Sequence, residues 1–153
     1  MGAKILVLNG PNLNLLGTRE PHIYGNDTLE DVQSMTESRA RDLGLEIDFR
    51  QSNSESELVD WIQAAKGTVD GIIINAGAYS HTSVAILDAL IAVTFPIIEV
   101  HLSNLFKREM FRHHSYITSV AAGLIMGFGA KGYPLAVEAM SSILETTAQN
   151  KLS

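Results

Sequence analysis

No cysteine occurs in the 153 residues. A disulfide framework, a thiolate nucleophile and a Cys-ligated metal are therefore excluded, and the absence fits a reducing cytosol. Positive charge is also scarce: 11 Lys and Arg stand against 17 Asp and Glu, for a formal net charge of −6. Bulk electrostatics thus disfavour a phosphate backbone, and no nucleic-acid partner is expected. A concave site can still gather Arg and His around an anionic metabolite. Long apolar runs are missing too. The N-terminal run through Leu8 is too short for a signal-peptide core and far too short to cross a bilayer. No membrane partner and a cytoplasmic location are the expectation.

What is present is an ordinary globular balance, 46% hydrophobic and 18% charged, without internal repeat or linker. This length suits one domain spanning residues 1–153. Lys4–Leu8 reads as a strand, stopped by Asn9-Gly10-Pro11. A Gly- and Asn-rich stretch without periodicity runs to about Asp27. Thr28 caps a helix whose Leu29, Val32, Met35, Ala40 and Leu43 recur at helical spacing, and Gly44 ends it. Glu46–Gln51 is a second strand. Ser54 and Glu57 form a capping-box signature before the stripe Leu58, Trp61, Ile62 and Ala65. Gly71–Asn75 is a third strand, buried on both faces by its consecutive isoleucines. A helix over Ser83–Ala92, a strand over Pro96–Val100 and a short charged helix over Leu105–Arg112 follow. Val120–Met126 is a fifth strand, and Gly132–Thr147 a closing helix with Ala136, Ala139, Met140, Ile143 and Leu144 inward.

Strict strand–helix alternation predicts an α/β fold: a flavodoxin-like, five-stranded parallel sheet of order 2-1-3-4-5 with helices on both faces. Such sheets bind ligands beyond the C-terminal strand ends, at the switch point beside strand 1. Asn9–Asn12, Asn75–His81 and His101–Asn104 all fall at those ends.

Four constellations carry possible chemistry. The loop after strand 1 lacks both P-loop and dinucleotide spacing, and at about 19 residues it has the length of a lid or binding loop. It carries Arg19 and Tyr24. A tyrosine with an ordinary pKa of ~10 is a poor base until a neighbouring guanidinium favours its phenolate. Taken alone, the pair reads first as a solvated arginine and a half-buried tyrosine. Next, Asn75, Ser80, His81, Thr82 and Ser83 crowd one strand end before a helix N-terminus, where an anion can be held. Third, Glu99 and His101 lie two apart and share a face. The carboxylate fixes the imidazole's tautomer and raises its pKa, as suits a general acid; a structural Glu–His pair fits as well. Last, adjacent His113 and His114 diverge and have no metal-ligand spacing. Nearby Arg112 is placed to clamp a hydroxyl or carboxylate.

The sequence resembles the type II dehydroquinases over essentially its whole length. The matching stretches are Asn9-Gly10-Pro11-Asn12-Leu13-Asn14-Leu15-Leu16-Gly17-Thr18-Arg19, Tyr24-Gly25, Gly77-Ala78-Tyr79 with His81-Thr82-Ser83, Glu99-Val100-His101-Leu102-Ser103-Asn104, Phe111-Arg112-His113-His114-Ser115, and Gly129-Ala130 with Gly132-Tyr133. The resemblance implies anti elimination of water from 3-dehydroquinate, in the shikimate pathway, through an enolate-like intermediate. It makes Tyr24 the base, Arg19 the residue that keeps it ionised, and Asn12 the holder of a water at the enolate oxygen. It makes His101, oriented by Glu99, the acid. Asn75, the Leu102 amide, the backbone and hydroxyl of Ser103, His81 and Arg112 hold substrate. Asp88 reaches a neighbouring subunit's site, in trimers packed into dodecamers. No metal and no organic cofactor are implied.

Departures from the family pattern are Ala76 for a frequent Pro, Ser54 and Ser56 for His and Gly, Leu87 before Asp88, and Phe106-Lys107 for His-Ala. A receiver domain would need an acidic cluster after strand 1 and an Asp ending strand 3, where Asn9-Gly10-Pro11 and Asn75 stand. An FMN carrier would be yellow, and a phosphosugar lyase or synthase would need a phosphate cradle that the loops lack.

Overall fold

In the computed structural model, which describes residues 2–152, five segments form one parallel sheet. They are β1 (Lys4–Asn9), β2 (Glu46–Gln51), β3 (Gly71–Asn75), β4 (Ile97–His101) and β5 (Gly123–Met126), ordered β2-β1-β3-β4-β5. Five helices accompany them: α1 (Pro21–Tyr24), α2 (Leu29–Asp42), α3 (Glu55–Ala64), α4 (Val84–Ile91) and α5 (Gly132–Leu152). This is the expected flavodoxin-like arrangement.

Strand alternation divides the core in two. Ile5 and Val7 of β1, Ile73, Ile98 and Val100 pack beneath Val32 and Ala40 of α2 and Ala136, Val137 and Met140 of α5. Leu6, Leu8, Ile72 and Ile74 face the other way, against Leu58 and Ile62 of α3 and Ile86 and Leu90 of α4. Ile72, Ile73 and Ile74 are all wholly buried, each stabilising the fold by roughly 1.5–3 kcal/mol through lost water contact. A central parallel strand covered on both faces has no use for alternation, which explains the consecutive isoleucines.

Several boundaries differ from the sequence expectation. β4 starts at Ile97, because Pro96 has no N–H to pair, although its carbonyl still accepts from Ile72 N at 3.0 Å. β5 starts only at Gly123, and Thr118–Val120 forms a 3-10 turn instead. The expected helix over Leu105–Arg112 is two 3-10 turns, Leu105–Lys107 and Met110–Arg112, with Arg108 extended between them. The Arg108 carbonyl, which a continuous helix would use, is taken by His113 Nε2 at 2.9 Å.

The long loop after β1 is not structureless. It holds a 3-10 turn at Leu13–Leu15, anchored by buried Leu13 and Leu16, and then α1. Ser54 caps α3 by accepting from Glu57 N, but its own N–H goes to Ser52 Oγ, so the box is not closed there. A closed capping box forms instead at α2, between Thr28 and Asp31.

The ends of β1 and β3 touch where the strand order reverses. Gly10 N donates to the Asn75 carbonyl at 2.8 Å. A Cβ on Gly10 would lie 2.3 Å from the Ala76 carbonyl oxygen, so only glycine permits this approach. The loops leaving the two strands therefore enclose a common crevice.

Candidate active site

The crevice is a narrow cleft of about 70 Å³, open to a larger cavity of about 790 Å³. Tyr24, Leu102, Ser103 and Arg108 line both. The larger cavity is walled by α1 and the loop after β5, but the titratable groups suited to chemistry crowd the smaller one. Asn12, Arg19, Tyr24, Asn75, His81, His101, Leu102, Ser103 and Arg112 all line it. Segments spread from residue 12 to residue 112 are thus gathered at one sheet end. Of the residues to which the resemblance assigns a role, two lie elsewhere. Glu99 sits behind His101, wholly buried. Asp88 is exposed on α4 and lines neither cavity.

β4 delivers the acid side of the cleft. Glu99 and His101 project to the same face, and His101 Nε2 meets Glu99 Oε2 at 2.6 Å. Burial pushes the Glu99 carboxyl up. Hydrogen bonds and charge from His101, with hydroxyl donors Ser115 and Thr118, outweigh this and hold it below its ordinary value. An ionised carboxylate can only accept, so Nε2 carries a proton and Nδ1 is the nitrogen left for the cleft. The His81 ring stacks beside it, centroids 6.4 Å apart.

His81 is a different imidazole. Desolvation, and the charges of His101 and Arg112, push its pKa down, against a raising hydrogen bond to the His114 carbonyl. Its Nδ1 lies 2.8 Å from that carbonyl. A carbonyl cannot donate, so Nδ1 holds the proton and Nε2 of the neutral ring is an acceptor.

The opposite wall comes from the loop after β1. Tyr24 ends α1, with the Arg19 guanidinium carbon 4.9 Å and that of Arg108 5.2 Å from its ring centroid. Asn12 has a left-handed backbone, φ 69°, which asparagine tolerates better than most residues. Its N–H is held by Asn53 Oδ1 at 3.0 Å. Arg112 lines the cleft while its Nε donates to Glu109 at 2.6 Å.

Asn75 is held from within. Its Nδ2 donates to the Tyr133 hydroxyl at 3.0 Å and its Oδ1 accepts from Gly77 N at 3.2 Å. Tyr133, wholly buried at the start of α5, donates in turn to Asn9 Oδ1 at 2.6 Å. Burial pushes this phenol far above its ordinary pKa, so it stays a neutral donor.

Sequence reasoning missed Arg108, Ser115, Thr118 and the bridging role of Tyr133. A signal existed for Arg108: it precedes Arg112 by four, which in the expected helix puts both on one face. None existed for the hydroxyls, whose partner lies 16 to 19 residues away in sequence. His113 and His114 bond elsewhere or pack on aromatic rings, and among the described residues no three His, Asp or Glu converge on a common point. No helix among those residues is long and apolar enough to cross a membrane.

Known proteins resemble this chain over most of its length. The family described as Dehydroquinase class II matches residues 3–141. The chain is 59% identical over 138 residues to a catabolic 3-dehydroquinase of Aspergillus oryzae, covering 90% of each. It is 57% identical over 145 residues to a 3-dehydroquinate dehydratase of Idiomarina loihiensis, covering 94% of this chain and 95% of the relative. The crystal structure of a type II dehydroquinase from Propionibacterium acnes superposes with a TM-score of 0.89 at 45% identity. That match covers 93% of this chain and 98% of the other.

Proposed function

This chain belongs to the class II dehydroquinase family, and on that premise we propose that it dehydrates 3-dehydroquinate with Tyr24 as base and His101 as acid. One observation carries the assignment: a buried Glu99–His101 pair faces, across a cleft at the switch point, a tyrosine flanked by two guanidiniums.

Removing a proton α to a ketone needs a strong base, a stabiliser for the enolate oxygen and an acid for the leaving hydroxyl. The Tyr24 phenolate, favoured by the charge of Arg19, takes the α proton. Asn12 orders a water at the developing enolate oxygen. His101 then gives its cleft-facing proton to the C1 hydroxyl, which leaves as water. Each turnover ends with Tyr24 protonated and His101 neutral; solvent takes one proton and returns the other, so the balance is zero.

The remaining residues hold substrate. Arg112 supplies a cation for the carboxylate or a hydroxyl, the Leu102 and Ser103 amides and the Ser103 hydroxyl supply neutral contacts, and neutral His81 accepts through Nε2. Asn75 keeps one amide N–H beyond its bond to Tyr133. No step requires a metal or an organic cofactor.

The decisive assay incubates purified protein with 3-dehydroquinate and follows the ultraviolet absorbance of the conjugated enone. Turnover should proceed without additive and survive both EDTA and borohydride. Loss of activity under either treatment overturns the mechanism. Tyr24→Phe should abolish turnover while nearly sparing substrate binding. His101→Ala should stop dehydration yet leave exchange of the substrate's α proton with deuterated solvent. Near-normal turnover of Tyr24→Phe would remove the tyrosine from the chemistry.

A further inference from the structure

The acid side of the cleft holds a feature that the assignment of roles leaves unused. The Glu99 carboxylate accepts three hydrogen bonds, and only one comes from His101. Ser115 Oγ donates to Oε2 at 2.6 Å and Thr118 Oγ1 donates to Oε1. Both hydroxyls come from the segment after the second 3-10 turn, on the far side of Glu99 from the cleft. We propose that Ser115 and Thr118 are positioning residues for the acid: their two hydroxyls keep the proton shared by Glu99 and His101 on the imidazole. This rests on the reading of His101 as the acid.

The reason is the position of one proton. Oε2 and Nε2 are 2.6 Å apart, with a single proton between them. If it sits on Nε2, His101 is an imidazolium, and its cleft-facing Nδ1–H is an effective acid near neutrality. If it sits on Oε2, the pair is a neutral carboxylic acid beside a neutral imidazole. Nδ1–H is still present, but it then belongs to a neutral ring and is a very poor acid. The two arrangements have the same number of protons and differ only in where the charge lies.

A wholly buried site by itself favours the neutral pair, because two charges must be desolvated to form the other. Hydroxyl donors aimed at the carboxylate reverse that preference, since each bonds the anion more strongly than the acid. The other titratable groups around Glu99 are imidazoles. His81 stacks beside His101, and His113 and His114 line a cavity of about 220 Å³ on the Ser115 side. No Lys or Arg lines that cavity, so beyond His101 itself the two hydroxyls are what stabilises the anion.

The local backbone aims them. Ser115 Oγ accepts from Ile117 N at 3.2 Å, which leaves its hydrogen for Glu99. Ile117, between the two hydroxyl residues, is wholly buried and pins the segment. Tyr116 N donates to the Ser80 carbonyl at 2.8 Å, and the His114 carbonyl takes His81 Nδ1 at 2.8 Å. One short segment thus touches both cleft imidazoles, fixing the His81 tautomer through the His114 carbonyl and bearing on His101 through the two hydroxyls on Glu99.

The test compares Ser115→Ala, Thr118→Val and the double variant with wild type, with Ser115→Thr and Thr118→Ser as controls that keep the hydroxyl. Hydrogen bonds to charged groups shift such balances by about ten- to a hundredfold each. Each single variant should therefore lose about tenfold or more in kcat with KM little changed, and the double variant more. Exchange of the substrate's α proton should persist in all of them, because the base is untouched. Solid-state 15N spectra of histidine-labelled protein, with the His101 signal assigned through His101→Ala, should change from imidazolium in wild type to neutral in the double variant. Thr118→Ser and Ser115→Thr should restore both rate and spectrum.

An unchanged kcat in the double variant overturns the proposal. So does a fallen kcat with the His101 signal still that of an imidazolium, which would make the hydroxyls merely structural. If Glu99→Gln and His101→Ala both kept full dehydration, the assignment of the acid would fail first, whatever the hydroxyl variants did.

Discussion

Tyr133→Phe isolates one oxygen atom that ties a helix to two strands and to the site. The hydroxyl is wholly buried, donates to Asn9 Oδ1 at 2.6 Å and accepts from Asn75 Nδ2 at 3.0 Å. Its loss leaves one amide oxygen and one amide N–H without that partner inside the protein. Each orphaned buried polar group costs about 1–3 kcal/mol. Taking both together, the variant should lose about 2–6 kcal/mol, which for a domain of this size lowers Tm by roughly 6–18 °C. The ring itself still fills its place, so no cavity term is added. Urea midpoints and thermal scans at one fixed protein concentration measure the loss, because assembly would otherwise shift both. Since Asn75 is then free to turn, KM should rise more than kcat falls. A stability change under about 0.5 kcal/mol, or a kcat loss with KM unchanged, would refute the account of Asn75 as held from behind by Tyr133.

Three further outcomes follow from the same structure. The Glu99 carboxyl is held below its ordinary 4.5 in the fold, so its stabilising contribution is present above about pH 4.5 and is lost as pH falls through the depressed value. The gap in urea midpoint between wild type and Glu99→Gln should accordingly narrow on acidification, and a constant gap would contradict the hydrogen-bonded anion. Arg108→Gln should lower kcat/KM by roughly two- to thirtyfold, the range of a cation over an aromatic ring, and an unaltered value would reduce Arg108 to a rim residue. Light scattering should show a dodecamer built of trimers, with Asp88→Asn slowing turnover without unfolding the chain; a fully active monomer would leave Asp88 a plain surface carboxylate.

The topology was legible in the sequence because hydrophobic period and turn residues are local properties that survive without tertiary context. Ile72-Ile73-Ile74 announces a strand covered on both faces, Asn9-Gly10-Pro11 ends β1, and strand–helix alternation leaves few parallel orders. The cleft residues were legible for a related reason. An open parallel sheet gathers whatever polar groups follow its strands, so Asn12, Asn75, His81 and His101 meet wherever the intervening helices are placed. Glu99 and His101 needed only the two-residue repeat of a strand.

Other features were decided by contacts that no local pattern encodes. Leu105–Arg112 has helical composition, but His113 takes the Arg108 carbonyl and the chain breaks into two 3-10 turns, which bring Arg108 over Tyr24. Val120 has strand propensity, yet the segment before it is held as a turn with Thr118 bonded to Glu99. Tyr133 lies 58 residues beyond Asn75 and 124 beyond Asn9, and the bond to each exists only once α5 packs across the sheet. By itself the sequence determined the fold, the end of the sheet that holds the site, and most of the groups that face the cleft, Arg108 excepted. The tertiary structure decided which hydrogen bonds hold those groups, because the partners come from distant segments and act only after both are buried together.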